Sequence, residues 1–340
     1  MVMKKLFFGC LLLLMALPAH GYQEQPGKGV TITPARATWI TGYFHETIIR
    51  KGLQELGYTV KRPKELTPAI FYNAVSLGDI DYWPNSWLPN QSHLLTKRVA
   101  KKASQIGYVL KAQGLQGYVV SKKYADKFNI KSLADFKRPE VIEAFDRDND
   151  GKADLTGCPS GWVGAKIIDQ HLKEYGLTKS VKNIKASYEA AMASNLAAHR
   201  NGEPVFYYAW TPSWTVFKMK PGKDIVWINV PYNFATSDSA NTARMSVSDV
   251  TGAVSSPLDM GFDVADIRIV ANNKFLEKNP AAKKFFELFR MDVEAMNAQQ
   301  VKVQDGEKSP QDVNRHADEW IAAHQEQWNG WLEQARQAAL

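Results

Sequence analysis

The chain has 340 residues, 45% apolar and 23% charged, with a formal net charge of +7. That length exceeds one ordinary core and suits two lobes of about 150 residues each, and the composition excludes a mainly disordered chain. Basic and acidic residues are interleaved throughout, so no basic stripe for nucleic acid forms.

The chain opens on an export signal. Lys4 and Lys5 form a basic start, residues 6–17 an apolar run, and Ala19-His20-Gly21 places small residues ahead of a cleavage site before Tyr22. The run is too short to span a bilayer. Cys10 precedes the main leucine run, which does not match a lipoprotein acylation site. The expected product is a soluble periplasmic protein cut after Gly21. Removing residues 1–21 takes Lys4 and Lys5 and no acid, so +7 becomes +5. Cys158 is then the one remaining cysteine, and no intramolecular disulfide can form.

The mature chain starts in an α/β rhythm. Residues 30–33 read as a strand, and 41–56 as a helix with Phe44, Ile48, Ile49, Leu53 and Leu56 at helical spacing and Gly57 as its stop. Residues 58–62 predict a strand, 69–77 a helix closed by Gly78, and 79–82 a strand. Two prolines in Asp81-Tyr-Trp-Pro-Asn-Ser-Trp-Leu-Pro89 predict a loop at that strand's end. A second block begins near Gly117. It holds a strand at 118–121, a helix start at Ser132-Leu-Ala-Asp135, a helix over 163–175 ended by Gly176, and a strand over 205–210. A strand over 266–272 leads into helical sequence, where Ser309-Pro-Gln-Asp312 has the residues of a capped helix start. Crossings between the blocks are expected near 112–118 and 262–268.

The ten tryptophans carry the functional signal. Trp83 and Trp87 lie in the proline-rich segment, Trp162 in Gly157-Cys-Pro-Ser-Gly-Trp-Val-Gly164, and Trp210 and Trp214 in Tyr207-Tyr-Ala-Trp-Thr-Pro-Ser-Trp214. Indoles beside strand ends suit a cleft, because ligands of open α/β sheets bind there. A quaternary ammonium has diffuse charge and no N–H donor, and aromatic faces hold it at about 0.5–2 kcal/mol each when desolvated. The other reading of these residues is core packing. It is the expectation for Trp320, Trp328 and Trp331, which fall with Val313, Ala317 and Ile321 on a helical stripe, and for Trp39 and Trp227. The free N–H groups of Val163 and Gly164 at a helix start could take a carboxylate.

Asp146-Arg-Asp-Asn-Asp-Gly-Lys-Ala-Asp154 has the alternating carboxylates of a calcium loop, through Asp146, Asp148, Asp150 and Asp154, but Gly157 stands where a bidentate glutamate belongs. An acidic Asp/Asn/Gly surface turn is the reading that this composition favours. There is no nucleophile elbow, phosphate-binding glycine loop or metalloprotease helix motif, and the histidines lack metal-ligand spacing.

The chain resembles the periplasmic glycine betaine/proline betaine-binding components of osmoprotectant ABC transporters. Pro26-Gly-Lys-Gly29, Leu56-Gly-Tyr-Thr-Val60, Asp150-Gly-Lys-Ala-Asp-Leu-Thr-Gly-Cys158, Pro204-Val-Phe-Tyr-Tyr208, Lys220-Pro-Gly-Lys-Asp224 and Ile269-Val-Ala-Asn272 carry the resemblance. It implies a type II periplasmic-binding-protein-like α/β fold, with mixed sheets flanked by helices and two crossing hinge strands. Lobe 1 is expected over 22–114 and 266–340, and lobe 2 over 115–265. It implies a cage of Trp87, Trp162 and Trp210 around the ammonium head, with the Val163 and Gly164 amides and Gln91 on the carboxylate, and Trp83 and Trp214 behind the cage. The family pattern has a second cysteine, partner to the residue matching Cys158, where this chain has Gly164, and a carboxylate-holding histidine where it has Gln91. The expected function is osmolyte capture without catalysis or cofactor, by a monomer that delivers to a permease and its ATPase subunit. Choline or carnitine capture, an exported enzyme acting on a quaternary amine, and a calcium-dependent adhesion module are the rival readings.

Overall fold

The computed structural model describes residues 24–230 and 245–340. The export segment, with Cys10 and the cleavage position, lies outside the described residues.

The predicted opening rhythm is present through the second helix, whereas the strand expected over 79–82 begins only at Tyr82. Helix Thr41–Glu55 buries Phe44, Ile48, Ile49 and Leu53, and a second helix, Pro68–Leu77, closes on a left-handed Gly78. Short parallel pairs join Thr31–Ile32 to Thr59–Val60 and Ala35–Arg36 to Lys64–Glu65.

The main sheet has seven strands. Its order runs Tyr82–Leu88, Ala265–Asn272, Ala103–Ser121, Phe206–Thr211, Ala153–Thr156, Val181–Ile184, and Ile225–Ile228 also pairs with Ala103–Ser121. Strand Ala103–Ser121 divides its partners. Residues 103–114 pair with Ala265–Asn272, whereas 115–121 pair with Phe206–Thr211 and Ile225–Ile228. Near the change of partner Ala112 takes a φ of 53°, a left-handed setting that interrupts the pleat. At Gly114 an added Cβ would stand 2.9 Å from the Trp87 ring and 3.1 Å from the Ala265 carbonyl oxygen, so only glycine lets the two strands pass this closely.

The sequence predicts a loop over the proline-rich segment ending at Pro89. Instead Tyr82–Leu88 is a fully buried strand. It tolerates Pro84 because the ladder to Ala265–Asn272 shifts register between Arg268 and Val270, opposite Pro84 and Asn85; a bulge leaves a proline with no N–H to miss.

Helices cover the sheets. Thr41–Glu55 packs against Pro310–Ala323, and Pro280–Leu288 against Gln325–Gln337. The expected capping box at Ser309 and Asp312 is formed. Trp320, Trp328 and Trp331 are buried as predicted, and Trp328 meets Phe285 edge-on at 5.7 Å. Trp227 is also core.

His171, buried on helix Val163–Glu174, lies 2.8 Å from the Tyr118 hydroxyl through Nδ1. Burial pushes its pKa down to about 4. Between the ordinary value of 6.5 and about 4 the unfolded chain binds more protons, so this contribution to stability is full above that window and is lost as pH falls through it. Replacing His171→Gln should remove about 2 kcal/mol of the stability lost between pH 7 and pH 5. Urea midpoints of both proteins at the two pH values check this; parallel acid losses would count against it.

Candidate functional site

Four segments converge between the two halves of strand Ala103–Ser121. The first carries Trp39, just ahead of helix Thr41–Glu55. Strand Tyr82–Leu88 presents Trp87. The glycine-rich turn before helix Val163–Glu174 supplies Trp162, with Val163 and Gly164 in that helix's first turn, and strand Phe206–Thr211 supplies Tyr208 and Trp210 on one face, two residues apart.

All six residues expected at the site, Trp87, Gln91, Trp162, Val163, Gly164 and Trp210, line one cavity. It holds about 450 Å³ of empty space, its open mouth included. Trp39, Gln116 and Tyr208 complete the wall together with Pro68, Asn90 and Ile167. Trp162 is central: its ring meets Trp39 edge-on at 5.0 Å and Trp210 edge-on at 5.6 Å. Tyr188 packs on Trp210 at 4.7 Å.

The indole N–H groups are unequal. Trp162 donates to the Thr38 hydroxyl at 2.9 Å. Trp39 and Trp87 donate to one oxygen, Asn85 Oδ1, at 3.1 and 2.8 Å. Trp210 Nε1 is buried with no partner among the described residues. Tyr208 donates its hydroxyl to Gln116 Oε1 at 2.6 Å, which leaves Gln116 Nε2 buried and unpartnered, as is Gln91 Oε1. Burial holds the Tyr208 phenol well above its ordinary pKa, so it remains a neutral donor.

None of the lining residues carries a formal charge, and none is Ser, Cys, His, Asp or Glu. The wall therefore offers aromatic faces for a cation and unspent N–H donors for an oxygen anion. Its one ionisable side chain is the Tyr208 phenol, which burial keeps neutral.

Trp39, expected to be structural, is a wall residue, and this corrects the sequence reading. Its position ahead of a helix gave no periodicity to place it. Gln116 and Tyr208 were also missed, although Tyr208 shares a strand face with Trp210. Trp83 and Trp214 do not line the cavity. Trp83 packs behind Trp39, 6.0 Å away, and on Phe71. Trp214 points its N–H toward Glu189 at 3.5 Å.

The Asp-rich loop lies elsewhere. Asp146, Asp148 and Asp154 gather carboxylate oxygens within 4.8 Å of one another. Asp150 turns to Lys182, which bridges Asp148 at 2.5 Å and Asp150 at 2.7 Å. Asp146 accepts from the Asp150 and Gly151 amides, as an acidic turn does.

Cys158 is a buried free thiol, and burial pushes its pKa up. A Cβ at Gly164 would stand 3.1 Å from its Sγ, close to the roughly 3 Å that disulfide geometry sets across the bridge. Gly164→Cys should therefore close a disulfide under oxidising conditions and raise stability by about 2 kcal/mol for so short a loop. Thiol titration with thermal melts, with and without reductant, checks this; two titratable thiols after oxidation would refute it.

The fold and wall define a two-lobed, type II solute-binding protein. Residues 30–323 match the family model described as the substrate binding domain of an ABC-type glycine betaine transport system, and the chain belongs to that family. It is 36% identical over 312 residues to the glycine betaine/proline betaine-binding periplasmic protein of Escherichia coli K12, covering 92% of each chain. In structure it is similar to the glycine betaine, L-proline transporter binding protein of Borrelia burgdorferi, with a TM-score of 0.70 at 17% identity over 91% of this chain and 100% of that one. It is also similar to an ABC-transporter choline-binding protein in complex with choline, with a TM-score of 0.69 at 16% identity over 91% of this chain and 96% of that one.

Proposed function

We propose that this protein captures glycine betaine or proline betaine in the aromatic cavity and presents it to its transporter's permease, itself driven by an ATPase subunit. The observation that carries the reading is the uncharged wall, in which Trp87, Trp162 and Trp210 share one cavity with unspent N–H donors. The three indoles enclose the methylated ammonium, which can accept no hydrogen bond and donate none. The Val163 and Gly164 amides and Gln91 take the carboxylate, assisted by Gln116 Nε2. The residues supply no catalytic group, so the ligand leaves unchanged. The protein acts as a monomer in the periplasm, after cleavage following Gly21.

In this reading lobe 1 spans 22–114 and 266–340, and lobe 2 spans 115–265. Contacts across that division support a closed arrangement. The Trp162 indole N–H reaches Thr38, its ring packs on Trp39, and Asn90 Nδ2 donates to the Asp263 carbonyl at 3.0 Å. Ligand bound between the lobes favours closure because the full set of contacts exists only there.

Titrating the purified protein with glycine betaine, proline betaine, carnitine and choline while following tryptophan fluorescence tests this. Saturable binding of the betaines, with choline at least about tenfold weaker, is expected. Equal binding of choline would remove the carboxylate from the site, and no binding of any of the four would end the reading. Trp162→Ala should cost about 2 kcal/mol or more of betaine binding through lost ring contact and packing. A loss below about 1 kcal/mol would show that Trp162 is not part of the cage.

A further inference from the structure

Two of the cavity's indoles are oriented by one buried carboxamide. Trp39 comes from irregular backbone and Trp87 from a strand, yet both N–H groups end on Asn85 Oδ1, at 3.1 and 2.8 Å. Asn85 is itself closed off from water, at 1% exposure. Its Nδ2 lies 2.6 Å from Nε2 of His45, which is fully buried.

The hydrogen-bond bookkeeping allows one arrangement. Two indole donors require the carbonyl end of Asn85 toward the tryptophans, since the flipped amide would set NH₂ against two N–H groups. The NH₂ end then faces His45, so His45 Nε2 accepts and the ring's proton sits on Nδ1, whose polar neighbour is the Pro84 backbone although no partner meets hydrogen-bond geometry there among the described residues. A charged His45 would put a donor against a donor. Burial agrees with this, pushing His45 down to about 3, so the ring is neutral.

Close packing holds the pair in place. Gly42, in the first turn of the helix that carries His45, has no room for a side chain. An added Cβ would stand 2.7 Å from the Ala37 Cβ and 3.0 Å from Asn85 Nδ2.

We propose that Asn85, held by His45, is the positioning residue that sets the Trp39 and Trp87 rings at the cavity wall, and that Trp39 is a fourth indole of the cage. The inference rests on the proposed betaine site for its effect on affinity, but not for the hydrogen-bond chain itself. A ring whose N–H has one buried acceptor cannot rotate without losing that bond, so both faces are pre-set before ligand arrives. Asn85 does this without touching ligand and without adding a charge to the wall.

The test uses the full mature protein labelled with ¹⁵N in histidine and tryptophan. In the unliganded state His45 should show the tautomer protonated on Nδ1, and Asn85→Leu should shift the Trp39 and Trp87 indole N–H resonances while leaving those of Trp227 and Trp328. Glycine betaine affinity should fall about tenfold in Asn85→Leu. If that variant does not fold, His45→Gln and His45→Leu decide. Glutamine restores an acceptor for Asn85 Nδ2 and should keep affinity within about threefold, whereas leucine, similar in volume, should lose about tenfold. A proton on His45 Nε2, or equal affinity in the glutamine and leucine variants, would overturn the proposal. Should the wild-type protein bind no betaine, the ligand reading fails alone, and the tautomer and indole shifts still decide whether Asn85 positions the rings.

Discussion

An indole held between segments more than a hundred residues apart needs both backbones to stop within reach of it, and Trp162 imposes that condition here. Its N–H bonds to Thr38, 124 positions away in sequence, while its ring meets both Trp39 and Trp210 edge-on. Neither neighbour could take its place without the shared strand. Ala103–Ser121 pairs with the strand beside Trp87 through its first half and with the strand bearing Trp210 through its second. The cavity therefore sits where that strand changes partner, and the left-handed Ala112 and the side-chain-free Gly114 mark the same place. Fold and site are fixed by one stretch of backbone.

Much of this was legible in the sequence, for identifiable reasons. Helix Thr41–Glu55 announced itself by spacing and a terminal glycine, and the capped start at Ser309 by residue types that satisfy free amides. The six expected site residues lie together because the tryptophan segments resemble a known family as a set. What failed was local. The segment from Trp83 to Leu88 looks like a loop because proline usually breaks a ladder, and the bulge that sets Pro84 and Asn85 together against Ile269 depends on a partner strand about 180 positions away that local sequence does not name. Trp39 was read as structural for a related reason. Its role depends on Asn85, 46 positions away, and no periodicity links the two. Hydrogen bonds between distant side chains are invisible to pattern until the backbone has been folded.

The polar groups of the cavity divide into those already spent and those held back. Asn85 Oδ1, the Thr38 hydroxyl and the Tyr208 hydroxyl all serve to orient other side chains. Trp210 Nε1 and Gln116 Nε2 have no protein partner among the described residues. Leaving a buried donor unpaired costs about 1–3 kcal/mol, so two such donors on one wall are a standing penalty that a ligand's oxygen would relieve. The same argument disfavours a purely apolar occupant, which would bury these donors without pairing them.

Absence of charge in the wall also bears on where such a protein can work. An ion pair at an exposed site weakens as salt rises, because mobile ions screen it within about 10 Å at 0.1 M. Attraction between a methylated ammonium and indole faces acts at contact among buried rings, well inside that screening length, and hydrogen bonds to a carboxylate act at the same short range. A chain with a formal net charge of +7 exerts no long-range pull on a cation, and a zwitterion of zero net charge needs none. A neutral aromatic wall thus binds a neutral zwitterion by forces that ionic strength barely alters, which is the property an osmolyte collector requires when its surroundings turn saline.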